Sequence, residues 1–204
     1  MENKNHWYDG TFYDKFIAPN QQKLFAKVIK FIEADKSIID VGCGTGFFSF
    51  SVADKCKSAL GIDLSKRNID KANKNLINKP NSKLTFRHTN LNTIITENID
   101  KFDYAVLTYV IHEVDENERI PLINEISQVA DKIIIGDFLV PRPKNFTGKL
   151  SRIIEFIAGS EHYRNFRNYV ANGGIPDLAK KSGLTIISEY KNIKAGVHIA
   201  VLTK

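Results

Sequence analysis

Two cysteines, Cys43 and Cys56, are all that 204 residues contain. So few exclude a disulfide framework and fit a reducing compartment. Neither sits near a His/Cys/Asp cluster of metal-ligand spacing. No apolar run approaches the roughly 20 residues that a membrane-crossing helix requires. The N-terminal stretch MENKNHWYDG lacks the basic-then-apolar layout of a secretory signal. Internal repeats, low-complexity tracts and a clear interdomain linker are also missing. These absences lead to the expectation of a cytoplasmic protein without a membrane span, folded as one domain over 1–204.

Of the residues present, 43% are hydrophobic and 25% charged, with a net charge of +6. That balance supports a core and argues against wholesale disorder. An excess of positive charge can point to nucleic acid or an acidic partner. Here the basic residues are mostly lysines, spread widely among Asn and Ile, which reads as a solvated surface; nucleic acid is not the expected partner.

Residues 11–34 show helical spacing, with Leu24, Val28 and Phe31 on one stripe and Ile32 beside it. We read 1–34 as an N-terminal helical cap. SIIDV (37–41) is a buried strand and FFSFSVADK the helix after it. SALGID, KLTFRH, FDYAVLTYVI and KIIIGD read as further strands. Between them lie a helix capped by Ser65, with Ile69, Ala72 and Leu76 on its buried face, and a helix over 116–130. After residue 137 the pattern loosens. IPDLAKKSG reads as a helix stopped by Gly183, and LTIISEY and GVHIAVLT as a closing hairpin. This alternation predicts a doubly wound, mostly parallel α/β sheet with one antiparallel strand near the C-terminus.

The most informative stretch is Asp40-Val41-Gly42-Cys43-Gly44-Thr45-Gly46, between a strand and a helix. Glycines at a strand tip let the backbone turn tightly and approach a ligand, and the helix that follows offers free N–H groups. Two cofactor classes compete. The dinucleotide fingerprint G-x-G-x-x-G wants a glycine at 47, where Phe47 stands. Asp40, ahead of the glycines, would repel a pyrophosphate and favour a ligand carrying positive charge. S-adenosylmethionine has a sulfonium, an ammonium, one carboxylate and a ribose diol. Asp63 ends the second strand about 20 residues past the first glycine, where an acid grips ribose hydroxyls in this fold class.

IIDVGCGTGFFSF and ALGIDLS resemble the first two motifs of class I S-adenosylmethionine-dependent methyltransferases, over about 35–137. The resemblance implies a Rossmann-like, seven-stranded sheet with helices on both faces. It also implies S-adenosylmethionine as cofactor and S-adenosylhomocysteine as product. By matching position, Asp40 and the backbone of Gly42, Cys43, Gly44, Thr45 and Gly46 would hold the methionine portion. Asp63 would bind the ribose and Leu64 would pack on the adenine. Asn90, where the family often has Asp, with Leu91, would offer a polar side chain to the adenine amino group. Thr108 and Tyr109 would line the methionine side.

The fourth strand runs into TYVIHEV. The acid-or-Asn, two prolines and aromatic of nucleobase amine methyltransferases are absent there. The His-Glu pair resembles the small-molecule, ubiquinone/menaquinone-type enzymes. The Asp-Asn pair of metal-dependent catechol enzymes is absent too, since Phe138 follows Asp137, so no metal is expected. His112 is the first candidate base, the alternative being a histidine that merely packs. Glu113 reads as a helix-start or solvent residue.

The family commonly builds its acceptor pocket from the N-terminal helix and from the insertion before the sixth strand. We read 138–175 as a substrate lid; its stretch SEHYRNFRNYV reads, equally, as an amphipathic helix with aromatics inward and arginines outward. His162 is a second base candidate, and Tyr13 a third residue that would close over the cofactor. An anionic acceptor would meet Arg164 or Arg167. The expected function is methyl transfer to a small molecule. The alternatives are an RNA or protein methyltransferase, or a non-catalytic protein that binds S-adenosylmethionine.

Overall fold

The computed structural model describes residues 18–143 and 160–204, with side chains from 21 and from 162 onward. Tyr13 and the other N-terminal aromatics, and the part of the insertion over 144–159, lie outside the described residues. In chain order come α1 (Ala18–Val28), a 3-10 turn (Ile29–Phe31), β1 (Ser37–Val41), α2 (Phe47–Val52), β2 (Ser58–Asp63), α3 (Lys66–Asn78) and β3 (Leu84–His88). Then follow α4 (Leu91–Thr96), β4 (Phe102–Thr108), α5 (Glu116–Val129), β5 (Ala130–Phe138), α6 (Ser160–Ala171), α7 (Ile175–Lys181), β6 (Thr185–Asn192) and β7 (Val197–Thr203).

Among the described residues the strands form one seven-stranded sheet in the order β3-β2-β1-β4-β5-β7-β6. Neighbours from β3 to β5 run parallel, and β7 is antiparallel to both β5 and β6. The chain leaves β1 toward one edge and, from β4, builds toward the other. The switch point therefore lies between β1 and β4, the place where open α/β sheets bind ligands.

β1, β4, β5 and β7 read as apolar runs because both of their faces are covered. Leu24, Phe25, Val28, Ile38, Phe48, Ile69 and Val106 belong to one buried cluster. Ile39, Leu107, Ile123, Ile126, Tyr169 and Leu178 belong to the other. Each fully buried aliphatic side chain of this kind contributes about 1.5–3 kcal/mol. Helix α1 is part of that packing: a Cβ on Gly136 of β5 would lie 3.2 Å from Val28 Cγ2 and 3.4 Å from Leu24 Cδ1. The described part of the N-terminal segment thus covers the sheet.

Two elements differ from the sequence reading. β4 ends at Thr108 because Tyr109 takes φ 56°, which turns the chain out of the sheet. Residues 91–96 form a short helix that their β-branched content hides. Asp115 caps α5, its side chain accepting from Asn117 N–H, and Glu113 is exposed, as the solvent reading had it.

Candidate active site

Gly42, Gly44 and Gly46 have φ of 72, 55 and 87°. Gly42 and Cys43 donate their N–H groups to Ile62 O at 2.9 and 3.0 Å, tying the turn to the end of β2. A Cβ on Gly42 would stand 2.6 Å from Val110 Cγ2, and one on Gly46 2.6 Å from Phe86 Cζ. Two of the three glycines therefore make room for side chains that follow β4 and lie on β3. Their conformation and their lack of bulk are required together. Cys43 is a packing residue: its Sγ lies 3.6 Å from Gly44 O, and burial pushes its thiol pKa up. Thr45 is fully buried.

Two acids flank the turn. Asp40 is 1% exposed. Its Oδ2 accepts the Ser49 hydroxyl at 2.6 Å, while Oδ1 is buried without a hydrogen-bond partner. Burial first, and the neighbouring Asp63 charge after it, push the Asp40 carboxyl up to about 7, against a lowering by Ser49. Asp63 accepts Gly44 N–H on Oδ2 at 2.9 Å and Ser65 N–H on Oδ1 at 2.7 Å. Leu64 is half-buried, and its carbonyl lies 3.0 Å from His88 Nε2.

Asn90 caps α4, its Oδ1 accepting Thr93 N–H and the Thr93 hydroxyl, each at 3.0 Å. The carbonyl side of this amide is committed, so it is the amide nitrogen that remains for another group. Leu91 is 3% exposed and joins the core with Ile62 and Ile94. The structure turns its side chain into the sheet packing, which leaves its backbone for any contact beyond the strand tips.

At the tip of β4, Thr108 is buried and Tyr109 N–H donates to Gly136 O at 2.8 Å. Burial, and next the Asp137 charge, hold the Tyr109 phenol well above its ordinary pKa. His112, 2% exposed, donates from Nδ1 to Asp137 Oδ1 at 2.8 Å, and its backbone N–H lies 3.3 Å from Asp137 Oδ2. Asp137 is fully buried and also accepts Phe138 N–H at 2.6 Å. The imidazole is boxed by Phe138 and Phe166, with ring centroids at 4.7 and 6.2 Å, and by Tyr109 and Tyr169, each at 6.4 Å. Its Nε2 lies 3.9 Å from Glu113 Oε1, which also stands 3.8 Å from Nδ1 of buried His162.

Helix α6 has a buried and an exposed face. His162, Phe166 and Tyr169 face inward. Arg164 faces outward toward Asp115 at 3.7 Å, and Arg167 lies 5.8 Å over the Tyr163 ring. Sequence reasoning missed Asp137 as the partner of His112. The available signal was its place at the tip of β5, next to the strand that leads into His112. The same ends of β1, β2 and β4 carry the glycine turn, both acids and the histidine. A cavity of about 160 Å³ lined by Lys101, Ser127, Asp131 and Lys204 lies at the opposite ends of the strands.

This sheet order, with the glycine turn after its first strand, is the Rossmann-like fold of class I methyltransferases. Residues 38–132 match the family model described as a methyltransferase domain. A ubiquinone biosynthesis O-methyltransferase of Nitrosomonas europaea is 28% identical over 115 residues, 55% of this chain and 48% of that protein. The 23S rRNA (uracil(1939)-C(5))-methyltransferase RlmD of Salmonella typhi is 28% identical over 102 residues, 45% of this chain and 24% of that protein. The chain spans at most about half the length of these curated relatives. Among solved structures, magnesium protoporphyrin IX methyltransferase of Synechocystis PCC 6803 with bound SAH aligns with TM-score 0.66 at 18% identity, over 95% of this chain and 88% of that one.

Proposed function

We propose that the chain binds S-adenosylmethionine at the tips of β1, β2 and β4 and transfers its methyl group to a small-molecule acceptor, with S-adenosylhomocysteine as product. The residues present fit that cofactor. The buried, unpartnered Oδ1 of Asp40 is an acceptor in want of a cation, which the cofactor's ammonium would supply. Asp63 would accept from the ribose hydroxyls. The backbone of Gly42 to Gly46 would lie along the methionine portion, with Thr108 and Tyr109 beside it. Leu64 would pack on the adenine, and the Asn90 amide nitrogen would donate to a ring nitrogen of the base.

When bound, the cofactor supplies an electrophilic methyl whose sulfonium is its own leaving group. The chain's part is to orient the acceptor, exclude water and hold a proton. His112 carries the reading: because Nδ1 donates its proton to Asp137, Nε2 is left as the basic nitrogen. An acceptor hydroxyl or thiol would pass its proton to Nε2. Asp137 would fix the tautomer and stabilise the imidazolium. The ubiquinone O-methyltransferase relative supports an acceptor of this size. RNA is the second reading, favoured by the RlmD relative and by the net charge of +6.

The test is calorimetric titration with S-adenosylmethionine, S-adenosylhomocysteine and NAD, followed by a panel of hydroxyl, thiol and amine acceptors. Binding of the first two without NAD, and turnover on a small acceptor, support the reading. Binding of NAD alone would overturn the cofactor. Turnover confined to RNA, with affinity falling steeply in salt, would replace the acceptor class.

A further inference from the structure

Arg119, in the first turn of α5, is 3% exposed. A guanidinium offers five N–H donors, and burying it is costly unless they are satisfied. No carboxylate pairs with it among the described residues. Nε donates to Ile111 O at 3.2 Å and to Val114 O at 3.0 Å. Nη1 donates to Asn168 Oδ1 at 2.9 Å, and Nη2 to Asn165 O at 2.7 Å. The guanidinium carbon lies 5.7 Å from the Tyr169 ring centroid.

These bonds have one geometry in common. One edge of the guanidinium holds the turn on both sides of His112, and the other holds α6. Asn165 adds a strut between the same two segments, its Nδ2 donating to Glu113 O at 2.8 Å. Asn168 and Asn172 also donate to the Glu116 carboxylate at the start of α5. A cation that only filled space or balanced charge would pair with an acid. This one spends its donors on the carbonyls of residues 111, 114 and 165.

We infer that Arg119 is the positioning residue for His112: it locks the His112 turn to α6 and makes α6 a standing wall of the acceptor side instead of a moving lid. Its consequence for turnover rests on the proposed role of His112; the coupling between turn and helix does not. The experiment compares the full chain with Arg119→Lys, which keeps the charge and loses the fork, and with Asn168→Ala, which removes one acceptor. Three readouts are taken: amide hydrogen exchange, the long-range proton–nitrogen spectrum of the His112 imidazole (assigned with His112→Gln), and S-adenosylhomocysteine affinity.

In Arg119→Lys, exchange should rise ~10-fold or more over 110–114 and 162–171 together, with the strands unchanged. The His112 ring signals should shift or broaden, and affinity should stay within about twofold. Asn168→Ala should give the same pattern at smaller amplitude, and it decides the matter if the lysine variant does not fold. Exchange that rises uniformly, or in only one of the two segments, overturns the inference. So does an unchanged His112 spectrum. Failure of the unaltered chain to bind S-adenosylhomocysteine would instead overturn the proposed function, leaving the exchange data to judge Arg119.

Discussion

Asp40 sits where a negative charge has least support. Its folded pKa, about 7 against 3.8, means that the folded chain holds a proton that the unfolded chain has lost. Stability from this group is therefore complete below about 3.8 and is lost as pH rises through about 7, falling by roughly 1.4 kcal/mol for each pH step of one between those values. A bound ammonium reverses the preference. We expect S-adenosylhomocysteine affinity to climb from pH 6 to pH 8, by up to about tenfold per pH step of one below the pKa, and Asp40→Asn to flatten that profile. Calorimetry at three pH values, with urea melts at the same values, measures both signs.

His112 and Asp137 make a second prediction at this scale. His112→Ala should leave cofactor affinity intact and lower turnover by about 10²–10⁴. Asp137→Asn should give a loss of similar order through the wrong tautomer, with affinity again preserved. Full activity in His112→Ala would remove the base.

At the scale of elements, the glycine turn is as much a joint as a cradle. Gly42→Ala must both hold φ 72° with a side chain and push a Cβ against Val110. The expected loss is about 1–3 kcal/mol. Val110→Ala in the same chain should return part of it, because the clash goes and the backbone strain stays. Thermal melts of the two single variants and the double variant separate these contributions.

The elements also show what was legible beforehand. The apolar runs of β1, β2 and β5, the Ser65 cap and the Gly183 stop declare themselves through local chemistry, and each stands near where it was read. The end of β4 did not. Tyr109 to Ile111 are as apolar as a strand, and only the positive φ of Tyr109, set by its hydrogen bond to Gly136, turns them away. α4 was invisible because Asn90 capping is its main local signal in a segment of only six residues. The four acceptors of Arg119 lie on residues 111, 114, 165 and 168 and share no pattern in the chain.

For the molecule as a whole, the sheet order could be anticipated from strand–helix alternation, since parallel crossovers of one hand leave few arrangements. The positions at the tips of β1 and β2 were legible for the same reason: the fold dictates where its switch point must be. The His112–Asp137 pair was not, because it depends on the turn at Tyr109 that takes His112 out of the sheet. Long-range pairing of this kind carries no periodicity that a single chain displays.

One contact between distant parts has a further effect. Asp63 reaches from the tip of β2 to the Gly44 amide, so the carboxylate proposed for the sugar also braces the loop proposed for the amino-acid tail. The two ends of the ligand would then be felt through a shared strut. Adenosine and methionine, offered as separate fragments, should bind non-additively, each altering the other's dissociation constant by the same factor, as reciprocity demands. Asp63→Ala should weaken S-adenosylhomocysteine by well over about tenfold and also cancel that mutual dependence. Independent binding of the fragments in the unaltered chain would mean that the strut transmits nothing.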